Sequence, residues 1–144
     1  MKYIVCVLVC ALVAGALAKP EISASRLEES RNRMRNAHKT CQGNSATAVD
    51  EAALKTMLQN PKAPRPENIG PHALCVSKAL GWQNEDGSVN RDEVESRAKA
   101  LYGDNERLQQ LVNECTAPQS SPEEAALKLI GCYRANAPRP TNAS

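Results

Sequence analysis

Phenylalanine is absent from this 144-residue chain, whose aromatics amount to one Trp and three Tyr. An interior of stacked rings is thereby excluded, and any core must be built from Leu, Val, Ile, Ala and Met. Charge of one sign is lacking too: 18 Lys and Arg face 16 Asp and Glu, a formal net charge of +2. Nucleic-acid binding normally requires a basic surplus with stacking aromatics, so that class is excluded. The one basic cluster, Arg31, Arg33, Arg35, His38 and Lys39, reads as a solvated helix face. No G-x-S-x-G, H-E-x-x-H or calcium-loop pattern occurs. The only neutral-pH bases are His38 and His72, each read as a surface residue without a partner. The chain is therefore expected not to be an enzyme, and to carry neither cofactor nor metal.

Long apolar runs are confined to the first 18 residues, MKYIVCVLVCALVAGALA. A basic start, a short apolar core and an Ala16-Leu17-Ala18 end are the features of a secretory signal peptide, too short to span a bilayer. The expected product is a secreted, extracellular domain of residues 19–144 with no stable membrane insertion. Cys6 and Cys10 leave with the leader, while Cys41, Cys75, Cys115 and Cys132 remain. An even number of thiols in an oxidising space reads as two disulfides. Zinc is disfavoured, because no two of the four lie at the close spacing that structural ligands use. Spacing alone leaves three pairings open.

Apolar residues recur with helical period nearly everywhere, and no stretch sustains the alternation of a strand. Helices are predicted over 22–39, 48–59, 70–81, 90–103, 104–115 and 121–133. Pro61, Pro64 and Pro66 forbid a helix between the second and third. Asp86-Gly87 marks a turn, Asn90 with Glu93 a capping box, and Asp104 the cap of the fifth helix. Ser121-Pro122-Glu123-Glu124 is the strongest start signal: cap, proline, acidic first turn. The fold class is all-α, a compact bundle of about six helices held by two disulfides around an apolar cavity. Placing the cysteines on this map favours Cys41–Cys75 with Cys115–Cys132, since each pair ties neighbouring helices.

Six helices and cysteines so placed resemble the insect odorant-binding protein family (PBP/GOBP-like). Its usual six-cysteine pattern separates the second and third by three residues and the fifth and sixth by eight. Counting back from Cys75 and Cys132 puts the two missing cysteines at Pro71 and Glu123. Both would belong to one bridge, so the chain is similar to the four-cysteine "minus-C" branch. The absent bridge is expected to let helices three and six separate, with faster and less selective ligand exchange.

The resemblance implies a soluble carrier of small hydrophobic ligands such as odorants, pheromones or fatty-acid-like molecules. A chemosensory receptor or a homodimer are the further partners it suggests. The competing reading is a non-catalytic interaction protein of a gland fluid such as venom, saliva or seminal fluid. Expected cavity residues are Leu54, Met57 and Leu58 of helix two, and Leu74, Ser77, Leu80 and Trp82 around helix three. Val94, Ala98 and Leu101 of helix four, with Leu111, Leu127, Ile130 and Tyr133, complete the set. Ser77 and Tyr133 are the expected hydroxyl anchors. Asn142-Ala143-Ser144 matches a glycosylation acceptor at the chain end.

Overall fold

Five of the six helices begin where a short polar side chain can accept from the backbone of the first turn. A computed structural model describes residues 23–138; the leader and the Asn142 acceptor lie outside them. Ser23 caps α1 (Ala24–Gln42), Asp50 caps α2 (Glu51–Gln59) and Asn90 caps α4 (Arg91–Tyr102). Ser121 accepts from the Glu124 amide to start α6 (Pro122–Asn136), with Pro122 in the first turn. The fifth helix, α5 (Glu106–Cys115), is capped by Asn105 rather than the expected Asp104. Asp104 instead turns its carboxylate to the Lys99 ammonium.

The exception is α3 (Ile69–Ala79), which starts from Asn68 in the left-handed region (φ 62°) with no side-chain cap. Asparagine tolerates that conformation better than most residues. Pro71 sits in its first turn, where a missing N–H breaks no helical bond. At the other end of the first helix, Cys41 falls inside α1 and not beyond it, and is fully buried.

The bundle is organised around α3. Its broadest interface is with α6, its next with α1, while α4 pairs with α5. Cys41–Cys75 staples α1 to α3 (Cα–Cα 5.9 Å) and Cys115–Cys132 staples α5 to α6 (5.8 Å). With sequence separations of 34 and 17, these bridges contribute about 4 and 3 kcal/mol in the loop-entropy model. They offset a core whose buried members are mostly small aliphatics: Ala37, Val76, Leu80, Val112, Ala126 and Leu129. No β-strand occurs among the described residues. A single bridge, Gln83 to Val89, closes the turn at Asp86-Gly87.

The starts of α3 and α6 are packed closely despite the missing third bridge. A Cβ added at Gly70 would lie 3.2 Å from the Glu123 Cβ. Buried Gln83 reinforces the same region, donating through Nε2 to the Gly87 carbonyl (2.8 Å) and the Pro122 carbonyl (3.0 Å). The expectation that α3 and α6 part readily thus meets the most extensive interface of the molecule.

Helix α2 behaves differently. It buries no residue, and Leu58 is 39% exposed. Leu54 and Met57 are half-buried, and α2 forms no extensive interface with another helix.

Candidate ligand cavity

The remaining helices leave a cavity of about 630 Å³, within the range of pockets that enclose small molecules. Helical spacing decides which residues reach it. On α6, Leu129, Cys132, Tyr133 and Asn136 share one arc and face inward. On α4 the same role falls to Val94, Ala98 and Leu101, spaced four and three residues apart. Leu111, Val112 and Cys115 of α5 form the far wall, and Leu80 with Trp82 close the end beyond α3. Ser30, Arg33 and Met34 of α1 form the near side.

The deep surface is apolar: Leu80, Trp82, Leu101, Val112, Cys115 and Leu129 are all buried. The rim is charged and open to solvent, with Arg26, Glu29, Arg97, Lys99 and Asp104 exposed. Most rim cations are already matched. Arg97 donates through Nε to Glu93 Oε1 (2.6 Å), and Lys99 pairs with Asp104. Arg33 donates to the Leu80 carbonyl (3.3 Å) and lies 4.0 Å from Glu93.

Two tyrosines supply the interior polar groups. Ser30 Oγ and the Tyr133 hydroxyl are 3.0 Å apart and hydrogen-bonded. The Tyr133 ring leans on Trp82, centroids 5.7 Å apart. Burial, helped by nearby Tyr133, pushes the Tyr102 phenol up to about 12. It therefore stays protonated, and a donor, throughout the physiological range.

Of the residues expected from sequence, Leu80, Trp82, Val94, Ala98, Leu101, Leu111 and Tyr133 line this cavity. The other seven stand elsewhere. Leu54, Met57 and Leu58 lie on α2, no residue of which lines the cavity. Leu74 and Ser77 lie within α3, no residue of which lines the cavity; Leu80, at its C-cap, and Trp82 just beyond it do. Leu127 and Ile130 occupy arcs of α6 turned away from the Leu129–Tyr133 face. Ser77 does not line this cavity; its hydroxyl is buried without a hydrogen-bond partner.

Ser30, Met34, Tyr102, Leu129 and Asn136 were missed. Only Met34 carried a signal, as part of the Leu27–Met34–Cys41 stripe of α1. The α1 wall otherwise consists of polar residues and arginine stems, which cover apolar surface while keeping their heads in water.

The two histidines depart from the surface reading. His72 is buried, 4% exposed, and shares a hydrogen bond with His38 (His38 Nδ1 to His72 Nε2, 2.9 Å). His72 Nδ1 donates to the Thr47 carbonyl (2.8 Å), and His38 Nε2 meets Glu51 Oε1 (2.8 Å). Burial lowers the His72 pKa below its ordinary value, and the neighbouring His38 adds to the effect. Neither ring reaches the cavity; the chain of bonds joins α1, the turn after it, α2 and α3.

Residues 23–136, all six helices, match the model of the PBP/GOBP family. The chain belongs to that family. PBP/GOBP proteins are binding proteins and carriers rather than enzymes, and the helical cavity built here is of the kind a carrier needs. Two relatives come from Tenebrio molitor. The B2 protein is 25% identical over 100 residues, covering 69% of this chain and 73% of that protein. The B1 protein is likewise 25% identical over 100 residues, covering 69% of this chain and 72% of its own. No solved structure matches the chain significantly. Among the described residues, no helix of this PBP/GOBP chain is long and apolar enough to cross a membrane. No group of three or more His, Cys, Asp or Glu among them is placed to hold a metal ion.

Proposed function

We propose that this chain is a secreted, four-cysteine PBP/GOBP carrier that takes small hydrophobic ligands into the cavity between α1, α4, α5 and α6. The observation that carries the reading is the cavity itself: about 630 Å³ with buried aliphatic walls beneath a charged rim. A protein meant only to present its surface gains nothing from such a void, since unfilled apolar space forfeits packing contacts. Contact with the ligand falls to Leu80, Trp82, Val94, Ala98, Leu101, Leu111 and Tyr133. Export through the residue 1–18 leader and two disulfides formed in an oxidising space fit the same role.

The test is uptake of the fluorescent probe N-phenyl-1-naphthylamine. Saturable uptake with displacement by medium-chain apolar molecules is expected. Filling the void with Ala98→Trp should abolish it, while Met57→Ala on α2 should leave it unchanged. Absence of saturable uptake in the parent chain, with helix content intact, refutes the carrier role and favours an interaction protein.

A further inference from the structure

Both histidines of the chain meet in one place, and neither belongs to the cavity. We propose that His38 and His72 form a copper(II) site between α1 and α3, with His38 Nδ1 and His72 Nε2 as the protein's ligands. The site is independent of the carrier role.

Hydrogen-bond accounting leads there. The Thr47 carbonyl lies 2.8 Å from His72 Nδ1, and a carbonyl only accepts, so that nitrogen carries a proton. Glu51 Oε1 lies 2.8 Å from His38 Nε2. The Glu51 carboxyl is held below its ordinary range chiefly by Gln42 and next by His38, so it is ionised at neutral pH and also only accepts. Both outer nitrogens are therefore donors. In neutral rings the inner pair, His38 Nδ1 and His72 Nε2, then turn bare lone pairs on each other across 2.9 Å. Something positive has to stand between them: a proton on one ring, or a metal ion that displaces that proton to solvent.

The surroundings suit the metal. A ligating histidine characteristically donates its other N–H to a carbonyl or carboxylate, which fixes the ring and raises its basicity. His72 has the carbonyl and His38 the carboxylate. Each ring stands one turn ahead of a bridged cysteine, His38 before Cys41 and His72 before Cys75. The disulfide thus holds α1 and α3 in the register that brings the rings together. Spacing then chooses among metals. Metal–nitrogen bonds of about 2.0–2.1 Å place two nitrogens about 2.9 Å apart at the right angle of a square plane, and about 3.4 Å apart in a tetrahedron. The observed 2.9 Å is the square-planar value, the geometry of copper(II) and nickel(II), of which copper(II) binds more tightly. No third His, Cys, Asp or Glu among the described residues completes the set. Water therefore fills the remaining positions, entering past His38, whose side chain is 32% exposed.

The experiment adds Cu2+ to the full chain at neutral pH and counts coordinated imidazoles by pulsed electron paramagnetic resonance. The chain has two histidines, so a two-imidazole signal within one molecule identifies this pair. One equivalent of Cu2+ should give that signal, unchanged on dilution of the protein. Affinity, read from the growth of the imidazole signal, should fall at least tenfold in His38→Gln. Glu51→Gln keeps both ligands and should weaken binding about tenfold, the scale of a lost partner behind a ligating histidine. A folded parent chain showing one imidazole or none refutes the site. So does equal affinity in His38→Gln, or a two-imidazole signal that fades on dilution as one shared between copies would. Unchanged affinity in Glu51→Gln overturns the part given to that carboxylate.

Discussion

Replacing Gly70 and Glu123 together by cysteine should add a third disulfide, and the geometry sets its worth. A Cβ at Gly70 stands 3.2 Å from the Glu123 Cβ, against the roughly 3.5–4.5 Å that disulfide partners adopt. The helix starts must open by only a few tenths of an ångström. The new bridge closes a loop of roughly 50 residues, for a ceiling of about 4 kcal/mol in the loop-entropy model. Subtracting about 1 kcal/mol for opening the tight contact leaves a gain of about 3 kcal/mol. Urea unfolding followed by far-ultraviolet circular dichroism, with Gly70→Ser/Glu123→Ser as the reference, measures it. A thiol titration verifies closure. Free thiols persisting after oxidation, or coincident unfolding midpoints, would refute the reasoning. The family spacing points instead to Pro71, an exposed residue one position on; Pro71→Cys with Glu123→Cys should close less readily. In neither variant should ligand exchange slow much, because Gly70, Pro71 and Glu123 all stand outside the cavity wall.

Gly87→Ala should cost roughly 2–3 kcal/mol, because Gly87 has φ +85° and an added Cβ would meet the Pro122 Cβ at 2.9 Å; an unchanged urea midpoint would contradict this. Ser77→Ala should be neutral or stabilising by up to about 1 kcal/mol, since it removes a partnerless hydroxyl from a buried helix position. A marked loss of stability would mean that the hydroxyl is bonded after all. Acid should destabilise the fold from about neutrality downward. His72 resists protonation in the folded chain but takes a proton near 6.5 when unfolded, so its contribution is full above 6.5 and is lost as pH falls. Glu51, held below 4.5 chiefly by Gln42 and next by His38, adds a further loss at lower pH. His72→Gln should flatten the first of these falls, and stability that rises on acidification would sink the assignment.

Local chemistry was legible in the sequence; the partners of each face were not. Ser121-Pro122-Glu123-Glu124 and Asn90 with Glu93 predict α6 and α4 because capping depends on residues within one turn. The cysteines favour their pairing because each pair joins adjacent helices. The stripe Leu54–Met57–Leu58 has the period of a core-facing helix, yet nothing in that period shows that α2 lies away from the cavity. Asp104 and Asn105 are both good caps, and the choice turns on Lys99, whose ammonium claims Asp104. His38 and His72 are separated by 34 positions, so their shared bond appears only when α1 lies along α3. The cavity shows the same division. The α4 wall followed from spacing, whereas Ser30 on a charged helix gave no sign that Tyr133 would meet it.

Trp82 is the only indole in the chain, and it forms part of the cavity wall against the ring of Tyr133. Its intrinsic emission therefore comes from one place, and that place is where a guest would sit. Entry of an apolar molecule displaces water from one side of the ring and should shift the spectrum to shorter wavelength. Energy transfer from the adjacent phenol should change with it. The molecule is thus its own unlabelled sensor of occupancy.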